Sequence, residues 1–245
     1  MTAVHQLQTK LRTLKLSGML PALEQRLAQA QQEHLGFLDF LELLLEDEIE
    51  RRQQHSLARR IANARFEALR TFEGFDFGAD PSLPVQQLRD LAGCGFLEAH
   101  ASVIICGPVG AGKTHVAQAL GMEACRRGYR VLFTKTSHFL RDLAGGRADG
   151  TWERRFRHYL HPDLLILDDF AMRELTAAQA EDLYELVAEY AGYASLVVTS
   201  NRSPQDWYPL FPNPVLAESA MDRLVNAAYQ VTLTGQSYRR KLRPG

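Results

Sequence analysis

Gly107, Pro108, Val109, Gly110, Ala111, Gly112, Lys113 and Thr114 stand in the spacing G-x-x-x-x-G-K-[ST], which sets an ammonium and a hydroxyl directly after a glycine-rich turn. Glycines at 107, 110 and 112 let the backbone point its N–H groups inward around phosphate oxygens, at the positive end of the helix that follows. Lys113 then reaches the β- and γ-phosphates of a nucleotide, and the Thr114 hydroxyl ligates Mg²⁺. Further along, Leu164, Leu165, Ile166 and Leu167 run straight into Asp168 and Asp169. An apolar strand ending in carboxylates puts Asp168 where it can hold Mg²⁺ through its water shell, and Asp169 where it can orient or deprotonate an attacking water. Asn201 follows another apolar run; a polar side chain there can hydrogen-bond the γ-phosphate or that water, and a plain turn residue is the other reading. The chemistry these types and spacings support is transfer of a phosphoryl group from ATP to water.

Such a site needs strands whose carboxyl ends share one edge, because open α/β sheets bind ligands there. Short apolar, β-branched runs at 101–106, 130–134, 164–167, 195–199 and 229–233 predict five buried parallel strands. After the glycine-rich loop Val116, Ala117, Leu120 and Ala124 recur at helical spacing, giving strand, loop and helix in the order the loop requires. Further helices are predicted over 85–91, closing at Gly93 and Gly95, over 137–143 and 152–160, separated by Gly145, Gly146 and Gly150, and over 176–190 and 216–227. The 176–190 helix carries Glu181, Asp182, Glu185 and Glu189 and reads as a solvated outer face. The expected fold class is α/β, a five-stranded parallel P-loop sheet sandwiched by helices.

A small all-helical N-terminal domain is expected ahead of the sheet. Leu7, Leu11 and Leu14 form one helical set; Phe37, Leu41, Leu44, Leu45 and Ile49 form another that leads into Leu57, Ile61 and Phe66. Two or three helices follow, one of them long. Gly74, Gly78, Pro81 and Pro84 around Phe75 and Phe77 mark a linker. The predicted organisation is a helical domain at 1–70, a linker at 71–84 and the sheet domain at 85–245.

The 245 residues suffice for one full α/β domain and this smaller one, since domains run about 100–200 residues. No apolar run is long enough to span a bilayer and the N-terminus lacks a signal-peptide pattern, so a cytoplasmic location without a membrane partner is expected. Cys94, Cys106 and Cys125 have no metal-like spacing, and an odd count argues against a disulfide framework. His158 and His161, beside Pro162, read as solvated side chains. The formal net charge of −1 demands no polyanionic partner, but its distribution is uneven. Glu46, Asp47, Glu48 and Glu50 precede Arg51, Arg52, Arg59, Arg60, Arg65 and Arg70; i,i+4 ion pairs on a solvated helix account for this, and a face following a nucleic acid backbone is the alternative. The same two readings apply to Arg141, Arg147, Arg154, Arg155 and Arg157, set against Asp142, Asp149 and Glu153. The tail with Arg239, Arg240, Lys241 and Arg243 reads as a disordered basic end. Beyond the nucleotide site there is no acidic triad or nucleophile set for chemistry on DNA.

A P-loop after the first strand, a Walker B pair on the third and a polar tip on the fourth resemble an AAA+ ATPase core. The chain more closely resembles the IstB-type transposition helper ATPases of insertion sequences, with DnaC-type helicase loaders and DnaA initiators as more distant relatives. The likeness is carried by Phe37-Leu38, the 43–51 stretch, Phe75-Asp76-Phe77, Gly-Pro-x-Gly-x-Gly-Lys-Thr-His at 107–115, Leu-Leu-Ile-Leu-Asp-Asp at 164–169, Thr-Ser-Asn at 199–201, Asp222-Arg223-Leu224 and Gly-x-Ser-Tyr-Arg at 235–239. It implies a sensor 1 role for Asn201 and an arginine finger at Arg223 that reaches a neighbouring subunit's nucleotide, hence an ATP-dependent homo-oligomer. Arg239 would be a sensor 2 residue, although little chain remains for the lid that carries one. The arginines between 141 and 157 fall in the insertion that initiator relatives use to contact DNA, and without interleaved amides they suit duplex backbone, largely independent of sequence. Asp169 stands where many AAA+ proteins carry Glu, a set-back of about 1.5 Å that implies slow hydrolysis. The implied function is an ATPase, with ATP and Mg²⁺ as cofactors, that assembles on DNA and assists a transposase encoded next to it. The alternatives are a DnaC-like helicase loader in replication and a nucleotide-switched DNA-binding module with little turnover.

Overall fold

Five runs of apolar residues form strands β1 (Ser102–Cys106), β2 (Val131–Lys135), β3 (Leu164–Asp168), β4 (Ser195–Ser200) and β5 (Ala228–Thr232), all parallel, in the order β2-β3-β4-β1-β5. β3 and β4 are buried at every position, as central strands covered on both faces must be, whereas β5 at the edge buries only Val231. In this computed structural model, which describes residues 3–78, 81–226 and 228–234, the sheet belongs to one of two units, Arg60–Gly245; the other is Met1–Arg59.

Alternation along the strands sends successive side chains to opposite faces. Ile104, Leu132, Leu165, Leu167, Leu196 and Val198 join one core with helices α7 (Thr136–Asp149), α8 (Trp152–Leu160), α9 (Ala177–Tyr190) and α10 (Pro214–Val225). On the other face lies α6 (Lys113–Arg126), so close that a Cβ on Gly121 would stand 2.8 Å from Ile166 Cδ1. The sheet is thus covered on both sides, as expected.

Two glycine readings are corrected. Gly145 and Gly146 do not break a helix; α7 runs through them to Asp149. A Cβ on Gly146 would meet Trp152 Cα at 2.9 Å, and one on Gly145 would meet Arg155 Nη1 at 3.1 Å, so these glycines let α8 lie against α7. Gly95 does not lead directly into β1 either: after α4 (Val85–Ala92) it opens a single helical turn, α5 (Gly95–Glu98). A 3₁₀ segment, Pro204–Leu210, buries Trp207 against Phe170 with ring centroids 4.7 Å apart.

In the smaller unit, α1 (Ala3–Thr13), α2 (Met19–Glu33) and the first part of α3 (Phe37–Ala64) enclose Leu11, Met19, Leu23 and Leu44. Gly18 permits the crossing of α2 and α3: a Cβ there would stand 2.7 Å from Glu48 Cα, and its N–H donates to the Glu48 carboxylate. Arg26 grips Asp47 through two parallel bonds of 3.0 and 2.8 Å. Of the helical set read as one apolar face, only Leu44 is buried; Phe37, Leu41, Leu45 and Ile49 are exposed.

Candidate nucleotide site

The glycine-rich loop springs from the point where three strands meet. Gly107 N–H donates to the Ser200 carbonyl at the end of β4, and Leu233 N–H donates to the Cys106 carbonyl at the end of β1. Gly107 has φ +152°, and a Cβ there would stand 2.1 Å from the Leu233 carbonyl oxygen, so no other residue fits without moving the chain beyond β5. Gly110 and Gly112 also have positive φ, and α6 begins at Lys113, its unsatisfied N–H groups facing the loop. The loop is therefore formed in the shape that phosphate oxygens require, with Pro108 and Val109 exposed at its rim and Ala111 half-buried. Lys113 Nζ donates to the Gly107 and Pro108 carbonyls, 2.8 Å to each, folded back along the loop it would share with a nucleotide.

Thr114, at the start of α6, donates its hydroxyl to Asp168 Oδ1 at 2.9 Å. Asp168 is 2% exposed. Its Oδ1 accepts a second hydroxyl, that of Thr199, at 2.6 Å, and its backbone carbonyl accepts from Thr136 at 3.0 Å. Burial holds its pKa above the ordinary carboxylate value; the two hydroxyls oppose that shift, and the nearby Asp169 and Glu67 charges reinforce it. A hydroxyl and a carboxylate oxygen at hydrogen-bond distance, beside a loop shaped for phosphate, fit Mg²⁺, which takes few protein oxygens and completes its octahedron with water and phosphate. Among the described residues no cluster of three His, Cys, Asp or Glu forms a protein cage for a metal.

Asp169 is half-buried, with φ +55°, and its N–H donates to Thr199 Oγ1 at 3.1 Å. The left-handed backbone turns the chain sharply at the tip of β3. Lys135 ends β2 in register with Asp168, and its Nζ lies 2.9 Å from Glu67 Oε1. That bond, then the nearby Asp169 and Asp168 charges, raise its pKa. Asn201 does not touch either carboxylate; its Nδ2 donates to Met172 Sδ at 3.5 Å. The residue of β4 that contacts the pair is Thr199, which sequence reasoning placed inside the strand and passed over.

A second contact was also unforeseen. Segment 71–78, read as part of a linker, lies over the start of α6: the Phe75 ring meets His115 edge-on at 5.2 Å, and a Cβ on Gly112 would stand 3.2 Å from Phe75 Cε2. His115 Nε2 lies 3.0 Å from the Thr71 carbonyl, which can only accept, so the ring's proton sits on Nε2; burial lowers the histidine's pKa.

Arg223 projects from α10 with its guanidinium 5.1 Å from the Tyr184 ring of α9. Arg239 lies outside the described residues, as do the remaining basic tail residues and the 235–239 motif. The five arginines between 141 and 157 divide. Arg155 is tied inward, to Asp142 at 2.7 Å, Asp149 at 2.5 Å and the Thr151 hydroxyl at 2.9 Å. Arg147 donates to Asp182 at 2.5 Å, stacks 5.1 Å from the Trp152 ring centroid, and shares that carboxylate with the indole N–H. Asp182, read as part of a solvated face, is 1% exposed. Arg141, Arg154 and Arg157 are exposed, the last paired with Glu153; Arg147 is exposed as well despite its tie to Asp182, and it lines an open groove of 610 Å³ with Arg154 and Arg157.

Residues 9–244 match the family described as IstB-like ATP binding protein. An ATP-binding protein in an insertion sequence of Mycobacterium tuberculosis is 57% identical over 240 residues, 98% of this chain and 96% of that protein. One from insertion sequence IS21 of Pseudomonas aeruginosa is 33% identical over 238 residues, 97% of this chain and 90% of that one. DnaA of Aquifex aeolicus bound to AMPPCP superimposes with a TM-score of 0.59 over 73% of this chain and 54% of that chain; at 23% identity the likeness is one of fold. No helix among the described residues is long and apolar enough to cross a membrane.

Proposed function

The chain belongs to the family of IstB-like ATP-binding proteins, and from that premise we propose that it hydrolyses ATP with Mg²⁺, assembles through ATP into a homo-oligomer on duplex DNA, and assists the transposase encoded beside it. The observation that carries this reading is the Thr114–Asp168 contact at 2.9 Å, which supports these two residues as the ones that would hold Mg²⁺, whose charge would stabilise the phosphates. Lys113 exchanges its two loop carbonyls for the β- and γ-phosphates, Asp169 receives the proton of the attacking water, and Asn201 swings from Met172 to the γ-phosphate. Arg223, exposed on α10, supplies the charge that completes a neighbour's site. Arg154 and Arg157 meet DNA phosphates in the groove. The relatives' names place them in insertion sequences, which supports transposition over helicase loading; the DnaA likeness bears on fold alone.

A switch that binds DNA but turns over little is the second reading, favoured by the short arm of Asp169 on its left-handed backbone. Steady-state ATPase of the full chain, alone and with duplex DNA, separates the two. DNA-stimulated turnover that Lys113→Ala abolishes, together with its ATP binding, is the expected result. Tight nucleotide binding by Lys113→Ala would remove the site, and turnover indistinguishable from background with DNA present would leave the switch.

A further inference from the structure

A second group of cations lies away from the carboxylates, at the opposite edge of the sheet. Arg130 precedes β2 and His161 precedes β3, whereas Lys135 and Asp168 end those strands; the five steps from Arg130 to Lys135, at about 3.3 Å each, set the two edges about 16 Å apart. Here the last turn of α3, the start of β2 and the end of α8 enclose a cavity of 280 Å³ lined by Arg60, Asn63, Arg65, Arg130, His158 and His161.

The acid nearest the cavity is already engaged. Asp163 accepts from the Arg130 guanidinium at 2.5 Å and from its backbone N–H at 2.8 Å. Arg130 Nη1 also lies 3.3 Å from His161 Nε2. A guanidinium only donates, so Nε2 accepts in this contact and Nδ1 carries the ring proton. Desolvation holds the pKa of His158 below its ordinary value, the Arg65 charge adds to that, and Asp142 opposes it. The charge of the cavity therefore comes from arginines. Arg60 is fixed by a 2.8 Å bond from Nε to the Cys125 carbonyl, and Arg65 is exposed with no acidic partner among the described residues. Planar guanidinium forks suit the paired oxygens of a phosphate.

The cavity and the groove described above both take residues from α8. α8 carries Arg154 and Arg157 into that groove and the next residue, His158, into this cavity, along a helix of nine residues, about 13 Å long. A single small anion needs one recess; a strand with repeated phosphates occupies both. We infer that the cavity bounded by Arg60, Arg65 and His161 holds a backbone phosphate of the nucleic acid whose neighbouring phosphates lie along α8. This rests on the DNA-binding reading above and adds to it an anchor outside the 141–157 segment.

The test is fluorescence anisotropy of the full chain with ATP on two unrelated duplexes across a salt series, for wild type, Arg65→Ala, and Arg154→Ala/Arg157→Ala. Losing one phosphate contact should lower the salt slope of Arg65→Ala by about 0.9 and weaken binding about eightfold at 0.1 M salt, equally on both duplexes. Combining all three substitutions should lower the slope further than the groove pair does. A wild-type slope for Arg65→Ala, with wild type binding normally, overturns the anchor and leaves DNA binding intact; failure of wild type to bind duplex overturns the functional reading itself. Two further arms use thermal shift on the Lys113→Ala background with inorganic phosphate and with a polyglutamate peptide. An Arg65-dependent shift with either, alongside an unchanged DNA slope, overturns the inference in favour of a free anion or an acidic protein segment.

Discussion

Replacing Thr199 by Val keeps the side-chain outline and removes one hydroxyl from the most enclosed part of the nucleotide site. That hydroxyl donates to Asp168 Oδ1 at 2.6 Å and accepts from Asp169 N–H at 3.1 Å, and Thr199 is fully buried. A hydrogen bond to a charged group contributes about 1.5–3 kcal/mol, and an amide left without its acceptor costs about 1 kcal/mol more. The added methyl returns about 0.8 kcal/mol. The net loss is about 2–3 kcal/mol, which for a unit of this size lowers Tm by about 4–12 °C. Part of the loss depends on pH. The Thr199 hydroxyl lowers a pKa that burial has raised above 3.8, so without it the folded-state value rises further. A carboxylate with a raised folded pKa costs nothing while protonated, and destabilises as pH climbs through that value. The variant's deficit should therefore be smaller near pH 4 than at neutral pH. Denaturant melts of the full chain at both pH values, with Mg²⁺-dependent ATP binding measured alongside, check this. A midpoint unchanged at neutral pH would show that the hydroxyl contributes nothing and that Asp168 is held by Thr114 alone.

Asp169→Asn should retain ATP binding and lose turnover, because the amide fills the same space and tolerates the +55° φ but cannot take a proton; hydrolysis at the wild-type rate would place the base elsewhere. Arg223→Ala should bind ATP yet fail to hydrolyse it, and mixing it with Lys113→Ala should restore some activity at composite interfaces; no recovery at any ratio, with oligomers still forming, would count against a finger acting in trans. Arg155→Ala should lower the melting temperature, since it releases Asp142 and Asp149 together, while Arg154→Ala leaves it unchanged and weakens DNA binding. Equal melting temperatures for the two would mean that the ties of Arg155 to α7 contribute no stability.

What the sequence made legible was local. The P-loop, the Walker B pair and all five strands were readable because each is a contiguous run whose residue types determine its backbone and burial: Leu164 to Leu167 have no alternative to a buried strand. Contacts between residues far apart in the chain were not readable. Thr199 serves Asp168 across 31 positions, and nothing in the run Leu-Val-Val-Thr distinguishes a hydroxyl that caps a neighbouring strand from one that is merely tolerated. Asn201 was the more visible candidate because it stands in the loop, yet its side chain turns to Met172. Gly145 and Gly146 misled for a related reason: glycine marks both broken helices and close approaches, and only the position of Trp152 and Arg155 decides between them.

The tie between Arg147, Trp152 and Asp182 bears on how such a protein can diversify. A single carboxylate, 1% exposed, satisfies both the guanidinium and the indole N–H, so it joins the α7–α8 excursion to α9, the helix that follows the Walker B strand. Exchanging Arg147 leaves Asp182 with only the indole donor, at a cost of about 1–3 kcal/mol, and exchanging Trp152 strips away the other half. Natural variation that retunes this groove is therefore expected at Arg154 and Arg157, whose side chains face water, and compensated triple changes are expected wherever Arg147 differs.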